Sequence, residues 1–245
     1  MAEYLIQDTT LTGIADAIRE KTGGTDPVAV SDMAAQIEGI QAGGGGDDVL
    51  DALIDRSITE ISSSSATSIG TYAFQSCTSL TTVDFLVATS IGDSAFESCS
   101  VLTTVDFPVA TSIGFRAFHS CTLLTKANFP VVTSIGNSAF YYCTSLTTAD
   151  FPVATSIGTY AFSYCSVLKS LLLRGNNVCT LSSKNAFNST PIKSGTGYIY
   201  VPSALIEQYK AATNWSTYAA QFRALEDYTV DGTITGELDP AKTGT

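Results

Sequence analysis

The sequence has few of the residues from which active sites are commonly built. It contains one histidine, one tryptophan and two methionines, and 14% of its 245 residues are charged, against about 25% in ordinary domains. Nothing in it supplies the nucleophile and orienting group that a catalytic histidine needs, and no metal-ligand spacing or phosphate-binding loop occurs. We therefore predict that the protein is not an enzyme and has no catalytic, cofactor-binding or metal-binding residues.

Positive charge is also scarce. The chain has 12 Lys and Arg against 23 Asp and Glu, a net charge of −11. Between Arg56 and Lys169 the only basic residues are Arg116 and Lys126. Nucleic acids and anionic membranes are bound through basic patches, so we predict neither as a partner.

Long apolar runs are missing as well. No run approaches the roughly 18 residues that span a bilayer, so we predict no membrane insertion. The first four residues, Met-Ala-Glu-Tyr, lack the basic and apolar regions of a signal peptide. We therefore expect a protein made in the cytoplasm without a signal peptide.

What the sequence has in abundance is repetition with a period of 22 residues. Thr-Ser-Ile-Gly begins at Thr67, Thr89, Thr111, Thr133 and Thr155. Behind it follow columns of phenylalanine (Phe74, Phe96, Phe118, Phe140, Phe162), cysteine (Cys77, Cys99, Cys121, Cys143, Cys165), leucine (Leu80, Leu102, Leu124, Leu146, Leu168) and a second phenylalanine (Phe85, Phe107, Phe129, Phe151). A fixed period in the low twenties indicates a solenoid, in which each turn packs only on its neighbours.

Each repeat predicts one strand and one turn of helix. Val83 and Phe85 point inward and Asp84 outward by the two-residue period of a strand. The chain turns at Ile-Gly, and the Ala-Phe-x-x-Cys segment is expected to form a short helical turn on the opposite wall. Two inward columns of phenylalanine then dominate the core.

The six cysteines allow a disulfide interpretation. Five of them fall in one repeat column, where stacked strands would lie roughly 5 Å apart with parallel side chains. Parallel Cβ vectors give poor disulfide geometry, so we favour a column of buried free thiols.

The ends of the chain differ from the repeats. Residues 1–42 predict a helical hairpin, with apolar positions Leu11, Ile14, Ile18, Met33 and Ile37, that attaches the protein to another chain. Residues 43–46 are four glycines, a flexible linker, and residues 47–226 form the solenoid with its caps. A short helix after Asp47 caps the first turn. Two helices starting near Ser203 and Ser216 cap the last, with Trp215 over the final phenylalanine. Residues 227–245 hold a hairpin candidate and a flexible tail.

The repeat unit Leu-x-x-[Val/Ala]-[Asp/Asn]-Phe-Pro, followed by Thr-Ser-Ile-Gly-x-x-Ala-Phe-x-x-Cys, resembles the Treponema-type, BspA-like leucine-rich repeat over about residues 58–187. Ile-Tyr-Val-Pro at residues 199–202 resembles the C-terminal cap of such proteins. The first 40 residues resemble a short N-terminal module of Gram-positive phage and prophage tail-associated proteins, on the motifs Leu11-x-x-Ile14-Ala15-Asp16-Ala17-Ile18-Arg19 and Thr22-Gly23-Gly24. These resemblances imply an α/β leucine-rich repeat solenoid, right-handed and β-rich with 22-residue repeats, a small N-terminal helical hairpin and an α-helical C-terminal cap, used in adhesion or recognition.

Two surfaces are candidate contact sites. Outward-looking columns change to large residues on neighbouring turns of one wall, at Phe115, Arg116, His119, Tyr141, Tyr142, Tyr160 and Tyr164. Exposed aromatic residues at this density mark contact surfaces, although tyrosine as ordinary surface filler is an equal alternative. The second candidate is the outward strand column Asp84, Asp106, Asn128 and Asp150. It is either a weak cation or docking site, or, as we favour, a solvated face that prevents edge association.

These observations predict a non-enzymatic recognition or adhesion protein that presents its repeats to a protein or glycan on a host cell surface. We expect a phage or prophage tail-associated host-binding factor, virion-associated or released. Residues 1–42 would bind a virion protein or a second copy of themselves. The alternatives are a bacterial cell-surface leucine-rich repeat adhesin and a structural or decoration protein without a ligand.

Overall fold

The computed structural model describes residues 5–6, 40–41, 58–64 and 66–228. The predicted helical hairpin, the helix after Asp47 and the hairpin after Tyr228 lie outside these residues. The part of the chain that is described forms stacked turns with three walls: a strand wall, a second sheet and a turn wall.

The strand wall is built from parallel strands, one per repeat. Its strands are β3 (Glu60–Ser63), β4 (Thr82–Phe85), β6 (Thr104–Asp106), β8 (Lys126–Asn128), β10 (Thr148–Asp150), β12 (Ser170–Leu172), β14 (Tyr198–Val201) and β15 (Phe222–Ala224). At its first edge, β1 (Leu5–Ile6) pairs parallel with β3 and antiparallel with β2 (Ile40–Gln41). Two short strands from residues 1–42 thus extend the solenoid sheet. The wall consists of a six-stranded sheet that ends at β8 and a four-stranded sheet that begins at β10.

The second sheet was not predicted from the sequence. It consists of β5 (Ser90–Ile91), β7 (Ser112–Ile113), β9 (Ser134–Ile135), β11 (Ser156–Ile157) and β13 (Thr180–Leu181). The Ser-Ile pairs expected to lead into a turn are strands, and the turn follows at glycine. A Cβ on Gly136 would lie 2.5 Å from the carbonyl oxygen of Gly114, so this corner requires glycine. Two-residue strands are too short to show an alternating pattern.

The turn wall comprises residues 71–76, 93–98, 115–120, 137–142 and 159–164. The expected helical turn is wrong here. Alternate backbone N–H groups donate to the next repeat, as from Tyr72 to the Asp93 carbonyl (2.9 Å) and from Phe74 to the Ala95 carbonyl (2.7 Å). An α-helix would keep those bonds inside the segment. The wall is instead a stack of tight turns, because the backbone of each repeat lies within hydrogen-bonding distance of the same segment in the next repeat.

Two columns of phenylalanine fill the interior, as predicted. Phe96 stacks on Phe118 with ring centroids 5.3 Å apart, and Phe107 stacks on Phe129 at 5.8 Å. All four rings are buried. The column continues into the irregular last turn, where Phe162 and Phe187 are 5.6 Å apart although 25 residues separate them. The extra residues are therefore accommodated outside the core.

The predicted column of buried thiols is also confirmed. All six cysteines are free and buried. The Sγ of Cys121 donates to the Phe96 carbonyl (3.2 Å), and that of Cys143 donates to the Phe118 carbonyl (3.1 Å). Burial raises the pKa of both thiols, which makes them inert packing groups.

The C-terminal end closes the core partly as predicted. It contains α1 (Pro191–Ser194), a 3-10 helix (Ser203–Leu205), α2 (Ile206–Ala211) and further 3-10 helices (Trp215–Gln221, Leu225–Asp227). The second predicted helix is a 3-10 helix, and it ends where β15 begins. β15 pairs with β14 and so adds the last strand to the sheet. Trp215 packs against Phe187 (6.0 Å), which confirms its predicted place, and its Nε1 donates to the Cys179 carbonyl (2.6 Å).

Candidate functional site

The turn wall holds its exposed residues in a strained backbone conformation. Ten of the twelve non-glycine residues with positive φ in the described chain form two columns there: Tyr72, Ser94, Arg116, Ser138, Tyr160, and Ser76, Ser98, Ser120, Tyr142, Tyr164. The left-handed conformation costs about 1–2 kcal/mol for a residue other than glycine. Half of these positions carry tyrosine or arginine, so large side chains stand on backbone that favours glycine or asparagine.

Most of the predicted contact residues are exposed on this wall. Tyr142, Tyr160 and Tyr164 are 46%, 40% and 43% exposed, and Phe115 is 43% exposed. Sequence reasoning missed Tyr72, the most exposed of the wall's aromatic residues at 54%. Its repeat position, the same as that of Arg116 and Tyr160, could have identified it.

Four predicted residues form one continuous cluster across three turns. His119 lies parallel to Tyr141, with ring centroids 4.9 Å apart and an interplanar angle of 4°. Tyr164 contacts Tyr141 at 5.2 Å and Tyr142 at 6.2 Å. Tyr160 lies in the same turn as Tyr164, and its hydroxyl is 3.5 Å from Asn185 Nδ2. We call His119, Tyr141, Tyr142, Tyr160 and Tyr164 the tyrosine patch.

Glu97 fixes the polar edge of the patch. Its Oε1 lies 3.6 Å from Arg116 Nη1 and 3.7 Å from His119 Nδ1, and its Oε2 accepts a hydrogen bond from Gln75 (3.2 Å). Arg116 also lies over the Phe115 ring, 5.1 Å from its centroid. The patch therefore has a positioned cation at one end.

The column that contains His119 is less exposed than the sequence suggested. The side chains of His119 and Glu97 are only 20% and 14% exposed, and Ser163 is buried. This position therefore faces solvent only in part, and His119 is partly covered by its stacking on Tyr141. Burial lowers the pKa of His119; Glu97 opposes this shift and Arg116 adds to it.

The residues of the acidic strand column are in register, but two of its carboxylates are paired with neighbouring side chains. Asp84 pairs with Asp106 and Asp106 with Asn128, and Asn128 Nδ2 donates to Asp106 Oδ1 at 2.7 Å. Asp150 accepts both arms of the Arg174 guanidinium, the shorter bond being 2.7 Å. Arg174 lies where the period breaks, and no sequence signal indicated this pairing.

In the described residues, no group of three or more His, Cys, Asp or Glu side chains is arranged to hold a metal ion. No helix in the same residues has the length and apolar character to cross a bilayer.

Comparison with known proteins identifies the repeats. The model of the "BspA type Leucine rich repeat region" matches in six copies over residues 52–168 and 89–209, which together span more than half of the chain. Among curated proteins, none is a significant match.

Solved structures with similar repeats come from three bacteria. The T. pallidum leucine-rich repeat protein is 30% identical over 48% of this chain and 53% of its own, with a TM-score of 0.41. A Bacteroides ovatus leucine-rich repeat protein is 20% identical over 69% and 46%, with a TM-score of 0.42. A leucine-rich cell surface protein of Faecalibacterium prausnitzii is 29% identical over 49% and 40%, with a TM-score of 0.38. The chain thus spans about half the length of these proteins or less.

Proposed function

The chain belongs to the BspA-type leucine-rich repeat family, and from this premise we propose that it is a non-enzymatic recognition protein whose tyrosine patch binds a partner protein. Repeat proteins of this type are typically surface proteins that interact with other proteins. The observation that carries the proposal is the placement of Tyr142, Tyr160 and Tyr164 at exposed left-handed positions. Backbone strain of this kind persists where the surroundings enforce it, often at functional sites.

The composition of the patch suits a protein ligand. Tyrosine and arginine are the residues most enriched in the energetic centres of protein interfaces. Arg116, held at one end by Glu97, adds a cation beside the rings. The patch thus combines large rigid contact area with hydrogen-bonding hydroxyls.

Ring orientation favours a protein over a glycan. Stacking on sugars requires an open ring face. His119 and Tyr141 cover each other's faces, and Tyr164 tilts against Tyr141 at 53°. This packing covers one face of His119 and one face of Tyr141, which reduces the ring area open to stacking on a sugar.

The experiment is binding of the purified chain to intact cells of a candidate host, untreated, protease-treated and periodate-treated. The double variant Tyr142→Ser/Tyr164→Ser restores the serine found in three sister repeats, so the fold should be kept. We expect it to lose binding by about tenfold or more, as for truncation of interface centres. Tyr72→Ser, in the first turn of the same wall, is the matched control and should bind normally.

The treatments separate the ligand classes. Protease treatment should abolish binding and periodate should leave it intact. Loss of binding after periodate treatment alone would indicate a glycan ligand. If the double variant bound as well as the unmodified chain, the tyrosine patch would not be the binding site.

For the biological setting we propose a phage or prophage tail-associated host-binding factor, with residues 1–42 as the attachment segment. The resemblance of that segment to tail-associated proteins supports this. Deleting residues 1–42 should abolish incorporation into particles, as measured by sedimentation, or lower the oligomeric state, as measured by light scattering. Secretion and anchor genes beside the coding sequence would instead favour the cell-surface adhesin. If the deletion changed neither particle incorporation nor oligomeric state, and the intact chain bound no cells, a structural protein would be favoured.

A further inference from the structure

The strand wall is interrupted at one place in the described chain. From β3 to β8 and from β10 to β15, neighbouring strands form parallel ladders, but β8 and β10 do not pair. The other walls remain continuous at the same turn, since β9 pairs with β11. The core is also undisturbed, because Phe129 stacks on Phe151 at 5.8 Å. The interruption is therefore local to one surface.

The interruption coincides with a strand whose sequence differs from its neighbours. β4 and β6 begin Thr-Val-Asp and β10 reads Thr-Ala-Asp, whereas β8 reads Lys-Ala-Asn. The inward Val83 and Val105 are buried, but Ala127 at the same position is partly exposed. The smaller alanine is shared with β10, while the lysine and the asparagine change the charge of β8 alone.

A depression of about 370 Å³ lies over this strand. It is lined by Thr104, Val105, Asp106, Lys126, Ala127, Asn128, Thr148 and Asp150. It is shallow and open to solvent, so a ligand here would lie on the strand wall and would not be enclosed. Hydrogen bonds fix two of its edges, Asn128 to Asp106 and Arg174 to Asp150.

The charges of the depression are separated into two rows. One row holds Lys126, which pairs in register with Thr104, together with Thr148, and the other holds Asp106, Asn128 and Asp150. The rows are two strand residues apart, about 7 Å. Lys126 and Arg174 balance the carboxylates of Asp106 and Asp150, so the site is locally neutral in a chain of net charge −11.

We propose that this depression binds a small zwitterion of about dipeptide size, with its carboxylate toward Lys126 and its ammonium toward Asp106. A locally neutral site with separated signs attracts a dipolar ligand more than a simple ion of either sign. Two residues of extended chain span about 7 Å, which matches the distance between the rows. The ligand is a free dipeptide, because the end of a longer chain carries only one of the two terminal charges.

The test uses alanyl-alanine at millimolar concentration and follows its binding by calorimetry and by NMR shifts of β8 and β10. N-acetyl-alanyl-alanine lacks the cation and alanyl-alanine amide lacks the anion. We expect each to bind at least about tenfold more weakly than the free dipeptide, a difference of about 1.4 kcal/mol. Equal binding of all three, or binding of a neutral monosaccharide only, would overturn the zwitterion assignment.

Two variants locate the site on the protein. Lys126→Thr copies the residue of the neighbouring strands and should weaken the free dipeptide but not its amide. The triple variant Lys126→Thr/Ala127→Val/Asn128→Asp restores the repeat, should remain folded and should abolish binding. Tyr142→Ser, on the turn wall, should bind the dipeptide as well as the unmodified chain does. No binding by the unmodified chain, or full binding by the triple variant, would contradict the proposal.

Discussion

The interior and the turn wall follow the same 22-residue period, but they use it differently. Inside, the period repeats the same residue, and Phe96, Phe118 and Phe140 stack as near copies. On the turn wall the backbone repeats and the side chains change, so that one left-handed column holds serine, arginine and tyrosine. The difference shows that the core carries the stability while the wall is free to vary. Four predictions test this division, from the largest expected effect to the smallest.

Phe118→Ala should break the interior. The ring is buried and contacts Phe96, Phe107, Phe129 and Phe140, so we expect a loss of about 3–5 kcal/mol in the free energy of unfolding. The adjacent His119→Ala, on the wall, should cost less than about 1 kcal/mol. Urea denaturation measures the free energy of unfolding of both variants. Similar losses would mean that the core does not carry more of the stability than the wall.

The buried thiols offer a second comparison, in kinetics. In denaturant without reductant, all six cysteines should react with a thiol reagent, because all are free. In the native chain the cysteine column should react at least about 100-fold more slowly, since access requires local opening that costs several kcal/mol. Loss of two or more titratable thiols in denaturant would indicate a disulfide instead.

Glycine substitution compares two neighbours on the wall itself. Tyr142 has a φ of 62°, so the substitution Tyr142→Gly relieves backbone strain. Tyr141 has no positive φ, so the substitution Tyr141→Gly relieves no strain and removes the ring contacts with His119 and Tyr164. We expect Tyr141→Gly to be less stable than Tyr142→Gly by at least about 1 kcal/mol. Thermal melting ranks the two variants, and the reverse order would exclude strain at this column.

The smallest expected effect concerns His119 and the pH dependence of the free energy of unfolding. Its folded pKa is lowered chiefly by burial, so the folded state binds this proton less readily than the unfolded chain does. As pH falls below about 6.5, the unfolded value, the native chain should lose stability relative to His119→Gln, which copies Gln75. Urea midpoints between neutral and mildly acidic pH measure this difference. A difference that stays constant with pH would mean that the pKa is not lowered on folding.

The columns of the core could be predicted from the sequence because most inward positions repeat one residue and the others stay apolar. Two features of the fold could not. The Ser-Ile strands are too short to show a period of their own, and the Ala-Phe-x-x-Cys segment has helical spacing although its N–H groups donate to the next turn. In the candidate site, the exposed tyrosines could be predicted from their columns. The stacking of His119 on Tyr141 could not, since it depends on how closely two turns approach.

The sequence by itself determined that this chain is a solenoid of 22-residue turns with phenylalanine and cysteine columns inside, because burial of a repeated apolar pattern needs only neighbouring copies. Only the tertiary structure decided which backbone groups bond across turns, which residues adopt positive φ, and that β8 and β10 do not pair. Those features depend on contacts between residues 21 or more positions apart, and such contacts form only when the turns are stacked.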